Sequence, residues 1–221
     1  MRKLIVFVVV VAVLLVVVDR VGDFVAERIV ADNLQSSQHL QQRPDVTIDG
    51  VPFVTQFVSG HYQHVEIDAS DVRVGSTPLA LSTLHTDFRT VSVSHNFQTF
   101  SARTASATAT VDFAGLSRLL KVHVHYGGHG RIALSKKLPV IGRKTVTFAA
   151  RYANGVLRFG GAAVNGLGHL GHEVASALSH YLDIRTPLRT FPFHIRVRSI
   201  RVDSSGLQLT LTGRNLHYRN G

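Results

Sequence analysis

The 221-residue chain contains no cysteine and no tryptophan, and its one methionine is the initiator. Without cysteine there is no disulfide framework, no thiolate metal site and no cysteine nucleophile. Acid is also scarce: 14 aspartates and glutamates stand against 24 lysines and arginines, a formal net charge of +10. That balance favours anionic partners, whether nucleic acid, phospholipid head groups or acidic glycans. There is no G-x-S-x-G nucleophile elbow and no serine placed near a histidine and an acid in an ordered motif. A repeat of roughly 20 to 50 residues is likewise absent. What remains is a chain 45% apolar and long enough for one domain with a sizeable core.

Its start is the most distinctive part. Met1-Arg2-Lys3 precedes LIVFVVVVAVLLVVV, an uncharged run from Leu4 to Val18, and then Asp19-Arg20. A positive start before an apolar run is the layout of an export signal or an uncleaved anchor. As a helix the run measures about 22 Å, short of a hydrocarbon core of about 30 Å. The helical pattern continues through Val21, Phe24, Val25 and Ile29, and Arg20 has a stem long enough to snorkel. No small-x-small cleavage site follows. The positive-inside rule places the remainder outside the cytoplasmic membrane, which disfavours nucleic acid as the anionic partner. We therefore expect a signal anchor or signal peptide over residues 1–19, a helical stalk over 20–40, and one domain over 41–221.

Beyond the polar SSQHLQQRPD, period-two alternation dominates. VTIDG, VEIDASDVRV, LALSTLHTDFRTVSVS, SARTASATATVDF, VHVHY, RIALS and KTVTFAARYANGVLRFGG read as strands, and HIRVRSIRVDSSGLQLTLTG closes the series. Ala153-Asn154-Gly155 and Ser204-Ser205-Gly206 are predicted hairpin turns. Gly50, Gly60 and Gly75-Ser76 are predicted turns as well. Helices are predicted at Phe113–Lys121 and roughly Leu167–Tyr181. The alanines 102, 105, 107 and 109 give one strand a small-residue face that a second layer or a ligand can approach closely. Strand following strand argues for an α+β fold rather than a doubly wound one. The expectation is a mostly antiparallel, curved sheet carrying two or three helices around an apolar groove, after an N-terminal apolar helix.

Three constellations carry little chemistry. GLGHLG at 166–171 matches G-x-G-x-x-G, but no βαβ unit surrounds it and Asp183 follows too early to be a ribose acid. His123, His125 and His129 in VHVHYGGHG are weak metal-ligand candidates, against the commoner reading of an exposed polar strand face. Asp68, Asp71 and Asp87 are not singled out as paired carboxylates by anything around them. Basic residues cluster more clearly. Lys136-Lys137 and Arg143-Lys144 bracket LPVIG, and Arg185, Arg189, Arg196, Arg198 and Arg201 follow. Either they line a solvated sheet face or they meet anionic head groups, each near-surface cation then contributing roughly 1 kcal/mol.

The stretch GVPFVTQFVSGHYQHVEID resembles the signature of the LmeA-like phospholipid-binding proteins of actinobacterial envelopes, whose members carry G-x-P-F-L-x-Q before a glycine and a strand. ATVDFAGLSRLL and FPFHIRVRSIRVDSSGLQLTLTG resemble the family's mid-domain strand-to-helix segment and closing hairpin. Val54 stands where leucine is commoner, and the VHVHYGGHG histidines lie outside the pattern. The likeness implies an envelope protein that holds or transfers phospholipid in support of lipid or lipoglycan (mannan-type) assembly, with no catalytic residue and no cofactor. The lipid-facing candidates are Phe53, Val54 and Phe57 with Leu116, Leu119 and Leu120, against ordinary core packing. Lys136, Lys137, Arg143 and Lys144 are the head-group candidates. Two other expectations remain open: an envelope enzyme acting on a lipid-linked glycan, and a scaffold for synthetic enzymes.

Overall fold

The computed structural model describes residues 2–37, 40–73, 79–94, 99–138, 142–164, 185–187 and 195–219. The helix expected at Leu167–Tyr181, the glycine match at 166–171, the turn at Gly75-Ser76 and Arg189 lie outside the described residues. In chain order the first elements are α1 (Arg2–Ser37), β1 (Asp45–Asp49), α2 (Phe53–Ser59), β2 (His61–Arg73), β3 (Ala80–Val93) and β4 (Thr99–Val111). Then come α3 (Phe113–Leu120), β5 (Val124–Tyr126), β6 (Ile132–Leu138), β7 (Gly142–Ala153) and β8 (Val156–Val164). The last are β9 (Arg185–Pro187), β10 (Arg196–Asp203) and β11 (Gly206–Arg219).

The fold is α+β, as alternation and helix placement imply. A six-stranded antiparallel sheet runs β1-β2-β3-β4-β11-β10, and a five-stranded one runs β5-β6-β7-β8-β9. Both expected hairpins form. β7 and β8 turn at Asn154 and Gly155, whose φ of 52° and 76° suit the two central residues of a hairpin turn. β10 and β11 turn where the Asp203 carboxylate accepts hydrogen bonds from the Ser205 amide and hydroxyl.

By contacts the chain divides into two compact units: residues 1–69, 86–105 and 214–221, and residues 70–85 and 106–213. In the first, α1 packs on β1 and α2. β1 alternates cleanly, burying Val46 and Ile48 and exposing Asp45, Thr47 and Asp49. Phe88 and Val91 fill the centre of this unit, and Phe88 meets Phe100 edge-on at 5.4 Å. In the second unit Ile132, Phe148, Leu157 and Phe159 are fully buried, the two phenylalanines again edge-on. α3 begins at Asp112, whose Oδ1 accepts from the Gly115 amide at 2.7 Å, an N-cap. The four alanines of β4 that define its small-residue face are all buried.

Candidate functional site

Most apolar exposure in the first unit lies on α1 and α2. From Val13 to Val18 every α1 side chain is 52–65% exposed. Beyond Asp19 the helix turns one face to the protein, and that face is acidic. Asp19, Asp23 and Glu27 recur every four residues, so they share one side of the helix. Asp19 Oδ1 accepts a hydrogen bond from the Val54 amide at 2.9 Å, at the start of α2. The amides of Val54 and Phe53 hold this carboxyl below its ordinary range. Glu27 Oε1 accepts from the Ile48 amide at 2.9 Å, occupying a donor of the edge strand β1. Burial pushes Glu27 above the ordinary glutamate range despite that bond. Between them Asp23 is buried, and one of its oxygens, Oδ1, has no hydrogen-bond partner among the described residues. Burial raises its pKa, with Asp19 and Asp49 adding to the rise and Arg20, 3.7 Å away, opposing it.

The apolar residues of the same helix are left outside. Val21, Phe24, Val25 and Ile29 are exposed, and the Arg28 guanidinium lies 5.4 Å over the Phe24 ring. A helix in water normally does the reverse.

The GVPFVTQFVSG motif divides between scaffold and surface. Phe53 is 4% exposed and packs on Gly22 of α1, with the rings of Phe57 and Tyr62 at 5.9 and 6.4 Å. Gln56 is buried, and its Oε1 accepts from the Gln63 amide at 3.0 Å, holding α2 to β2. Gly50 leaves room for that amide group: a Cβ there would collide with it. Gly60 ends α2 in the left-handed region at φ 66°, and its carbonyl accepts from the Val93 amide. The turn expected at Gly60 is thus a helix C-cap. On the other face Val51, Val54, Phe57 and Val58 are exposed, Phe57 by half and Val58 by two thirds. Residues 50–60 hold no charge.

The sequence-selected residues therefore fall into separate places. Phe53, Val54 and Phe57 share α2 in the first unit. Leu116, Leu119 and Leu120 lie on α3 in the second, all buried. Lys136 pairs in register with Lys144, and Lys137 with Arg143, across the β6–β7 hairpin. His123 and His125 flank the buried Val124 and are exposed, as is His129 in the following turn. Among the described residues the group able to bring three ligand atoms within 4.8 Å is Asp49, His64 and Glu66, without those histidines. His64 and Glu66 stand two apart on β2, but nothing local pointed to Asp49, which strand pairing brings to them from β1.

His64 Nδ1 lies 2.7 Å from Asp49 Oδ2, its register partner on β1, and Nε2 lies 2.8 Å from Asp87 Oδ2 on β3. Glu66 stands 3.5 Å from Nε2, and Arg89 pairs with Asp87 at 3.3 Å. Burial opposes a charge on His64. Hydrogen bonds to Asp87 and Asp49, with the charges of Asp87 and Glu66, outweigh it and raise the imidazole pKa. Two ring nitrogens each facing a carboxylate suit an imidazolium that donates to both.

An apolar, uncharged helix face beside an exposed aliphatic run suits a lipid more than a polar metabolite. Comparison with protein families decides the class: the LmeA-like phospholipid-binding family matches residues 17–212, most of the chain. The chain belongs to that family. The match runs from Val17 to Thr212, so it takes in the acidic face of α1, all of α2 and both sheets as far as the first half of β11, but leaves out most of the apolar run. None of the curated proteins and none of the solved structures compared with the chain matches it. Among the described residues no helix is long and apolar enough to cross a membrane.

Proposed function

We propose that this phospholipid-binding protein works in the cell envelope, at the outer side of the cytoplasmic membrane, and that it holds or transfers lipid without chemistry. The observation that carries this reading is the exposed, uncharged face of α2 beside the exposed aliphatic residues of α1, in a member of a phospholipid-binding family. Lipid contact is assigned to Val54 and Phe57, with Phe53 supporting them from behind. The buried Leu116, Leu119 and Leu120 of α3 form a separate assignment within the second unit. Holding an acyl chain needs only apolar burial, roughly 0.8 kcal/mol per methylene. The register-paired cations Lys136, Lys144, Lys137 and Arg143 support a head-group role, because like charges opposite one another are unfavourable until an anion neutralises them. The role in lipid or lipoglycan assembly, and anchoring by α1, belong to the same proposal.

Purification of the full chain in mild detergent, then solvent extraction and mass spectrometry, tests it. The expected result is a phospholipid recovered in near-constant ratio to protein, together with the mass of the mature N-terminus. A chain with no extractable lipid, and no ability to move labelled phospholipid between vesicles, would overturn the reading. A catalytic alternative would draw on the carboxylates around His64. Elemental analysis and assays on a lipid-linked glycan, with His64→Ala beside His123→Ala and His125→Ala, separate it from lipid holding.

A further inference from the structure

The inward-facing acids of α1 give this surface a definite partner. A helix carrying Asp19, Asp23 and Glu27 just after an aliphatic run would ordinarily mark the point where the chain leaves apolar surroundings for water. Here the tertiary structure removes all three from the outer surface. Asp19 is covered by the start of α2, Asp23 is buried, and Glu27 is bonded to β1. What α1 presents outward at the same level is Val21, Phe24, Val25 and Ile29. Beside them α2, fixed to α1 at Asp19 and through Phe53 on Gly22, presents Val54, Phe57 and Val58. The apolar surface of the run is thus carried past Val18 by two helices instead of one.

We propose that α1 and α2 together form an interfacial collar, seated in the head-group and upper acyl layer of an anionic phospholipid bilayer. The run from Leu4 to Val18, about 22 Å as a helix, falls short of a hydrocarbon core of about 30 Å, so a chain entering by that run needs further apolar surface at its exit. The collar supplies it with Asp19, Asp23 and Glu27 all turned toward the protein. Its cations fit the same placement. Arg20 is exposed at the edge of the run, Arg28 stacks on Phe24, and the chain is basic overall. The bilayer is favoured over a second copy of this basic chain because charge complementarity opposes the latter. The proposal rests on the membrane placement of α1. It takes the same α2 face, Val54 and Phe57, that the proposed function assigns to lipid contact, and so deepens that reading.

The absence of tryptophan provides a clean test. The full chain carrying Phe57→Trp, and separately Val58→Trp, is reconstituted into phosphatidylcholine vesicles containing phosphatidylglycerol. Parallel vesicles carry bromine at defined acyl-chain positions. The expected result is a shift of emission to shorter wavelength, protection from acrylamide, and strongest quenching by bromines nearest the glycerol end. Emission typical of water with full acrylamide access would overturn the proposal. So would protection from acrylamide without bromine quenching, which would put a protein surface on α2. Lipid recovered by extraction from a chain whose reporter stays in water would sink the collar, and with it the assignment of lipid contact to α2, while leaving lipid holding by another part of the fold standing.

Discussion

The Asp19 carboxylate accepts a hydrogen bond from the Val54 amide at 2.9 Å, joining two residues 35 positions apart. It does for α2 what an N-cap side chain does from within a helix, because Pro52, at the N-cap position, makes no side-chain cap hydrogen bond. The bond also turns the first acid after the aliphatic run away from the outer surface. Asp19→Asn keeps the shape and weakens the acceptor. Amide exchange at Val54 should quicken by roughly fivefold, the factor that follows from losing about 1 kcal/mol of local protection. Unchanged exchange would show that the amide is held by something else.

Two phenylalanines of one motif should respond in opposite ways. Phe53 is buried between Gly22, Phe57 and Tyr62, so Phe53→Ala should cost about 3–5 kcal/mol in denaturant unfolding. Phe57 is half-exposed, and Phe57→Ala should cost about 1 kcal/mol, mainly its ring contact with Phe53. Vesicle binding should fall for Phe57→Ala even though the fold survives. Equal unfolding losses would contradict the division of the motif into scaffold and surface.

Gly60 holds a left-handed conformation, and a Cβ there would lie 2.5 Å from the Val93 carbonyl oxygen. That neighbour is backbone and cannot swing aside. Gly60→Ala should destabilise the protein by about 1–3 kcal/mol. Thermal unfolding measures this, with Thr55→Ala on the exposed face of α2 as the mild comparison.

The raised pKa of His64 gives a pH dependence of defined sign. The ordinary value is 6.5, and the folded value lies above it. The stabilisation from the imidazolium held by Asp87, Asp49 and Glu66 is therefore fully present below about pH 6.5. It is lost as pH rises through the folded value. Proton NMR of the His64 ring should titrate later than an unperturbed histidine. His64→Gln should flatten the fall in stability across that window; a variant that keeps the full slope would assign it to other groups.

The β6–β7 hairpin makes an electrostatic prediction. Replacing Lys136, Lys137, Arg143 and Lys144 by glutamine should weaken binding to anionic vesicles by roughly 1 kcal/mol per residue. Binding to neutral vesicles should hardly change. A loss equal on both kinds of vesicle would mean that the hairpin had been disturbed rather than its charge.

Much of the architecture was legible locally. Period-two alternation marked β1, β4 and β11, and Asn154-Gly155 marked a hairpin, because strand pleat and turn geometry impose themselves on neighbouring residues. The helical stretch expected at Phe113–Lys121 is α3, and its cap at Asp112 came from the structure. α2 was ambiguous: seven residues cover two turns, too few for periodicity to separate a short buried helix from a strand. The His64 cluster was not legible at all, since Asp49, His64 and Asp87 meet only through strand pairing.

By itself, then, the sequence determined the α+β class, the aliphatic start, the basic excess and the family signature, all of which reside in composition or in short runs. Tertiary structure alone decided which side of α1 and of α2 faces outward. Helical spacing can sort Asp19, Asp23 and Glu27 onto one face and Val21, Val25 and Ile29 onto another, but it cannot say which face is covered. Docking of α2 and β1 on the acidic face settles that, through bonds to amides that lie far along the chain. The same docking turns GVPFVTQFVSG into two sets of residues, a buried Phe53 and Gln56 that hold α2 in place and an exposed Val54, Phe57 and Val58.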